Sequence, residues 1–188
     1  VSIVEYTPDE LLFFSFNKGL FIFHKQTGQI RPFVLIDKEM NDQTCINGFS
    51  VNIQRITKNK ILFSAQHIFI YDIVTRKFDI VATMGKEYER QSPLIIATVG
   101  TKTYLSDLKN ICEYDSSEGT FKTIYQGQHI INDASMDKDG VFWLASTEGL
   151  LRYDPRTGKS ELIQTSLFQD VASVVADNQY RIWIGTRR

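Results

Sequence analysis

The sequence predicts an all-β protein, a β-propeller fragment of about four and a half four-stranded blades, and three observations carry that prediction. A recognisable unit recurs at intervals near 40 residues. Within each unit the segments are short, aromatic and β-branched, and turn residues separate them. No stretch sustains an apolar 3.6-residue period over three helical turns, which argues against the helix-pair solenoids of similar repeat length.

The clearest unit runs over residues 136–158 and contains Asp137, Gly140, Trp143, Gly149, Leu150, Tyr153, Asp154, Thr157 and Gly158. A shift of 40 places Asp177 and Trp183 on Asp137 and Trp143. Tyr71-Asp72 and Tyr114-Asp115 fall on Tyr153-Asp154, and Phe23-His24 takes the same place with histidine for the aspartate. These aromatic positions are 48, 43 and 39 residues apart. One propeller blade takes roughly 40–50 residues, so each spacing fits one blade.

Blades are expected at 1–36, 50–84, 93–126 and 131–164, with a half blade at 171–188, all within one propeller. The long first spacing reflects a polar run at 37–48, which reads as an inserted loop. In the fourth blade, residues 142–146 and 149–153 read as the second and third strands. Asp154-Pro155-Arg156-Thr157-Gly158 then makes a hairpin turn, because Pro155 fixes its φ and Gly158 permits a positive one. In the weaker blades the tryptophan is replaced by Phe13, Ile61 and Tyr104. Four and a half blades leave open sheet edges, so the remaining blades are expected from the same parent chain.

Composition narrows the function classes. Of 188 residues, 43% are hydrophobic and 23% charged, ordinary globular values that exclude a disordered chain. Lys and Arg number 21 against 22 Asp and Glu, and a net charge of −1 argues against a nucleic-acid partner. No apolar run approaches the ~18 residues of a membrane helix, so direct membrane insertion is not expected. Cys45 and Cys112 lack metal-type spacing. They are expected to be unbridged, Cys45 in the inserted loop and Cys112 at an apolar strand position.

Residues 137–158 resemble the two-component regulator propeller repeat, whose pattern runs Asp, Gly, Leu-Trp-Ile-Gly-Thr, Gly-Leu, Tyr-Asp and Thr-Gly. Arg181-Ile182-Trp183-Ile184-Gly185-Thr186 matches its central strand most fully. The resemblance implies the periplasmic sensor region of a Bacteroidetes hybrid two-component system histidine kinase, responding to glycans or oligosaccharides. It implies a parent chain anchored in the inner membrane, with the kinase and further sensor domains outside these residues. A second copy of the chain is a candidate partner. On this reading the fragment itself is not an enzyme. The alternative is a lyase-type propeller enzyme acting on a polysaccharide or streptogramin-like substrate. Its base would come from His67 or Glu148, in comparable turns between second and third strands.

Residues that recur in every blade must serve packing, so Trp143 and Trp183 are expected to lie buried between neighbouring sheets. Gly149, Tyr153 and Asp154 belong to the same structural repeat. Asp137 and Asp177 are expected to cap turns. A binding site should then be built from what the blades do not share. That material is the 37–48 insertion, the 85–91 loop with Tyr88 and Arg90, the 126–129 loop with His129, and His67. These loops are expected on one rim, offering a ring for stacking and a guanidinium for carboxylate or sulfate. His24, His67 and His129 share no short spacing, so no metal is expected. No nucleophile elbow or phosphate-cradling loop is present, and neither catalytic residues nor cofactors are expected.

Overall fold

The computed structural model describes residues 2–15, 18–33, 51–65, 67–83, 93–164 and 170–187. The first sheet holds β1 (Ile3–Thr7), β2 (Glu10–Ser15), β3 (Gly19–His24) and β4 (Ile30–Pro32). The second holds β5 (Asn52–Arg55), β6 (Lys60–Ser64), β7 (His67–Asp72) and β8 (Lys77–Thr83). The third holds β9 (Leu94–Val99), β10 (Lys102–Asp107), β11 (Asn110–Asp115) and β12 (Thr120–Gln126). The fourth holds β13 (Ile131–Met136), β14 (Phe142–Ser146), β15 (Gly149–Asp154) and β16 (Lys159–Ile163), and β17 (Val171–Ala176) pairs with β18 (Ile182–Thr186). Strands follow one another in sequence order within each sheet, the antiparallel meander of a propeller blade. The chain forms two compact units, Val1–Ile95 and Ile96–Arg188.

One turn is built four times between third and fourth strands. The carbonyl of the last third-strand residue accepts the N–H four residues on: Gly28 to His24, Arg76 to Asp72, Gly119 to Asp115 and Gly158 to Asp154, at 2.8–2.9 Å. The donor residue sits in the left-handed region in every case, with φ of 70°, 58°, 69° and 68°. Glycine adopts that region freely and other residues do not. In three turns the residue is glycine, and in the second sheet it is Arg76. The carboxylates of Asp72, Asp115 and Asp154 each accept a backbone N–H two residues on, and His24 Nδ1 accepts one from Thr27 in the first sheet.

The turns between first and second strands also repeat. Asp137 Oδ1 accepts the N–H groups of Asp139 and Val141, while its Oδ2 accepts the Trp143 indole N–H at 2.9 Å. Asp177 does the same for Gln179, Arg181 and the Trp183 indole. A single carboxylate thus fixes a turn and aims a tryptophan six residues on. The Trp183 and Arg181 bonds hold the Asp177 carboxyl well below the usual carboxylate range.

Packing uses both faces of a sheet. In the first unit, Leu12, Phe14, Leu20 and Ile22 bury against Ile61, Phe63 and Phe69 of the second sheet. In the second unit, Phe142, Leu144 and Leu151 bury with Ile111 of the third sheet, while Ala145, Leu150 and Trp143 pack against Val171 and Val174. Side chains of β13 also bond the β17 backbone: Asn132 donates to the Val171 carbonyl, and Asp133 and Ser135 accept the N–H groups of Val174 and Ala176. Cys112 is free and buried in β11, where burial pushes its thiol up to about 11. Cys45 lies outside the described residues.

Two expectations are corrected. Trp143 lies opposite Arg152, and the residues at that ladder position elsewhere are Leu12, Leu62 and Tyr104. Phe13 and Ile61 are therefore not the tryptophan equivalents. The turn from second to third strand is one residue longer in the first sheet and one shorter in the second, which displaces the ungapped alignment by one and flips faces. The second correction concerns burial. Trp143 is half-buried, but Trp183 is 58% exposed, because no further sheet covers its face among the described residues.

This asymmetry sets an expected outcome for chemical unfolding. Trp143→Ala should cost about 3 kcal/mol, at the low end for a tryptophan truncation. Trp183→Ala should cost less than about 1 kcal/mol, as surface substitutions do. Equal losses would show that the two rings are packed alike.

Candidate functional site

Two sheet junctions use the same third-strand tyrosine position differently. In the fourth sheet, Tyr153 is buried, its ring lies 4.7 Å from that of Tyr125, and its hydroxyl donates to the Ile124 carbonyl at 2.6 Å. That carbonyl is available because β12 carries a bulge: Cys112 pairs with Thr123, Ile111 pairs with Tyr125, and Ile124 is left over. In the first unit Tyr71 takes the place of Tyr153 and Phe33 that of Tyr125, with rings 5.3 Å apart. There the outer strand is β4, which pairs with β3 over Ile30–Pro32 without a bulge, and the Phe33 N–H continues the ladder to the Leu20 carbonyl at 2.9 Å. The Tyr71 hydroxyl meets that of Tyr6 at 3.4 Å instead. A cleft of about 380 Å³ opens beside these rings.

The cleft is amphipathic. Half-buried Tyr6 and Phe33 form the open part of its aromatic wall, with Tyr71 behind them. Burial raises the Tyr71 hydroxyl above its ordinary pKa, the Tyr6 hydroxyl adds to this, and the positive charge of Arg76 works against it. Glu10 accepts from Arg31 at 2.9 Å and from Thr7 at 3.4 Å. A smaller cleft of about 220 Å³ is also bordered by Glu10, Ile22 and Arg31, with His24 and Gln29 on its far side. Arg76 lines the larger one from its left-handed turn position. Such a set can stack on an apolar ring face, exchange hydrogen bonds with hydroxyls and neutralise one negative charge.

The described residues singled out from the sequence do not line this cleft. His67 opens β7, opposite Thr83, at the far end of that strand from Tyr71 and the cleft. His129 lies in the connection from β12 to β13, which is tied to the β10–β11 turn by Gly127 N–H to the Lys109 carbonyl and Ile131 N–H to the Leu108 carbonyl. Glu148 is exposed, and its N–H bonds Ser146 Oγ in the β14–β15 turn. Tyr88, Arg90 and the 37–48 insertion lie outside the described residues. Gly149 has a φ of 141°, and a Cβ there would meet the Ile163 carbonyl oxygen at 2.7 Å, which explains its glycine. Of the cleft residues, one had a signal in the sequence. Arg76 stands four residues after Asp72, where Gly28, Gly119 and Gly158 stand in the other turns.

No family model matches the chain, and no curated protein matches it. Solved structures do. The extracellular domain of the hybrid two-component system BT4673 of B. thetaiotaomicron superposes with a TM-score of 0.73 at 18% identity, covering 98% of this chain and 25% of that one. The extracellular domain of the hybrid two-component system BT3049 of the same organism gives 0.70 at 18% identity, covering 99% and 27%. The WD40 β-propeller domain of Doa1 gives 0.66 at 13% identity, covering 96% and 58%. The fold is therefore that of a β-propeller fragment, and the chain spans about a quarter of the length of the two extracellular domains.

The turn position of Arg76 yields a stability prediction. Arg76→Gly should stabilise the chain by about 0.5–1 kcal/mol, because it relieves a left-handed non-glycine residue at some cost in unfolded-state entropy. Gly158→Ala, at the equivalent turn, should destabilise by a similar amount. Urea unfolding of both variants checks this, and a loss of stability in Arg76→Gly would show that its side chain supports the fold.

Proposed function

We propose that this chain is a ligand-recognition part of the periplasmic sensor region of a hybrid two-component signalling protein, and that its ligand is an oligosaccharide. The observation that carries this reading is the likeness of nearly the whole chain to two extracellular domains of such systems. The fragment is read as non-enzymatic, with histidine kinase activity in other parts of the parent protein.

The chemistry of the cleft supports the ligand class. Sugars present apolar C–H faces and hydroxyl rims, which call for aromatic walls beside polar side chains. The cleft beside Tyr6 and Phe33 supplies both. His67, Tyr88, Arg90 and His129, as loop residues that the blades do not share, are proposed as further candidate contacts. Two apolar faces support partners of the propeller kind. Ile3 pairs with Phe13 and Phe13 with Phe21, so these share the face of the first sheet that turns away from the second, and Ile3 is 56% exposed. Val175 and Trp183, likewise paired, are exposed on the last sheet. Further blades of the parent chain are the occupants proposed for them, ahead of a second copy of this chain.

Titration of the chain with a panel of neutral and acidic oligosaccharides, followed by the tyrosine and phenylalanine ring resonances, tests the reading. Saturable binding that moves the Tyr6 and Phe33 signals is expected, weakened roughly fivefold or more in Tyr6→Ala. No response to any saccharide would remove the oligosaccharide reading.

A further inference from the structure

We infer that the cleft beside Tyr6, Phe33 and Tyr71 selects a sugar bearing a carboxylate, and that Arg76 is the residue that reads the charge. The inference rests on the oligosaccharide reading for the sugar itself. The demand for a negative charge comes from the cleft.

Consider first the charges present. Glu10 and Arg31 neutralise one another at 2.9 Å, and Thr7 supports the carboxylate. Arg76 makes no ion pair among the described residues, and its side chain is exposed at the edge of the cleft. The carboxylate of Asp72, four residues earlier, is turned to the backbone, where its Oδ1 accepts the N–H groups of Val74 and Thr75 at 2.9 Å each. Of the charged residues that line the cleft, Glu10 and Arg31 pair with one another, and Arg76 has no ion-pair partner among the described residues. A ligand with a single carboxylate supplies that partner.

Consider next why arginine stands there. The turn geometry asks for a left-handed residue, and Gly28, Gly119 and Gly158 supply it in the other three turns. Arg76 adopts the same conformation at φ 58° against its steric preference. The fold of the turn gains nothing from the side chain, since the bond to the Asp72 carbonyl is made by the backbone N–H. What distinguishes this turn is its position beside the one junction, among those described, where an outer strand without a bulge accompanies a tyrosine hydroxyl that meets a second tyrosine rather than a carbonyl. Strain and opening coincide at one place, and a strained residue bordering an open aromatic cleft is a pattern of recognition sites. A guanidinium recognises carboxylate with two parallel hydrogen bonds, which a lysine at the same site does not reproduce.

The geometry also places the parts of the ligand. A uronic acid ring would lie against Tyr6 and Phe33, with its carboxylate toward Arg76. A second ring would run past the Glu10–Arg31 pair into the smaller cleft, where His24 and Gln29 offer hydrogen bonds to hydroxyls.

The test uses the 188-residue chain with trigalacturonic acid and with its fully methyl-esterified form, which keeps the rings and removes the charge. Calorimetric titration of the wild type should show binding at least tenfold tighter for the acid, weakening with added salt. Arg76→Gly should lose at least tenfold in affinity for the acid, leave the ester unchanged, and raise the melting temperature. That opposition separates a ligand-reading role from a structural one, since a structural arginine would lose stability and affinity together. Arg76→Lys should recover only part of the affinity. Equal binding of acid and ester, or full affinity in Arg76→Gly, would overturn this inference while leaving the oligosaccharide reading standing. Failure to bind either form, with a neutral oligosaccharide bound instead, would also overturn it. Silence toward every saccharide would overturn both.

Discussion

A four-stranded antiparallel sheet with two apolar faces cannot bury either of them by itself. That constraint underlies the rest of this structure. The fourth sheet meets it on both sides: alternate residues of β14 point Phe142 and Leu144 one way and Trp143 and Ala145 the other, into two separate clusters. Its neighbour on the second side is a two-stranded sheet, and the cluster there is smaller, with Trp143 only half-buried. The first sheet meets the constraint on one side, which leaves Ile3, Phe13 and Phe21 on an outward face. Turn chemistry then serves the stacking. The Asp137 and Asp177 carboxylates hold hairpins whose first job is to set where the tryptophans point, and the left-handed turns between third and fourth strands close each sheet at a fixed length.

Recognition arises where a sheet departs from this shared plan. The bulge at Ile124 lets the third sheet meet the fourth with the Tyr153 hydroxyl on the Ile124 carbonyl. In the first unit β4 carries no such bulge over Ile30–Pro32, Tyr71 meets Tyr6, and a cleft lies beside them. The difference is one of register. It places an aromatic wall, an internally neutral ion pair and one spare guanidinium within one small volume.

Much of the fold was legible in the sequence, because repetition averages out local ambiguity. The Tyr-Asp and Asp-Trp positions mark the ends of strands, and the turns that follow them obey rules of hydrogen bonding and φ. Equivalence at single-residue resolution was less legible. Turn lengths of the first and second sheets differ from the fourth by one residue in opposite senses, so Leu12 and Leu62, not Phe13 and Ile61, share the ladder position of Trp143. Exposure of Trp183 was also beyond reach, since it depends on what lies against the last sheet. The cleft left one trace, Arg76 in a glycine column. The register difference beside it has no sequence signature, and His67 stands at the opposite end of β7.

The account stands or falls on the claim that sheets protect one another face to face, and native-state amide hydrogen exchange measures that directly. Within the second unit, the amides of Trp143, Leu144 and Ala145 in β14, covered on both faces, should exchange slowest. Those amides of Ile182 to Thr186 in β18 that bond β17, covered on one face, should exchange markedly faster although they too are strand-paired. Equal protection of β14 and β18 would contradict the account, because it would mean that strand pairing alone, without stacking, sets the stability of each sheet.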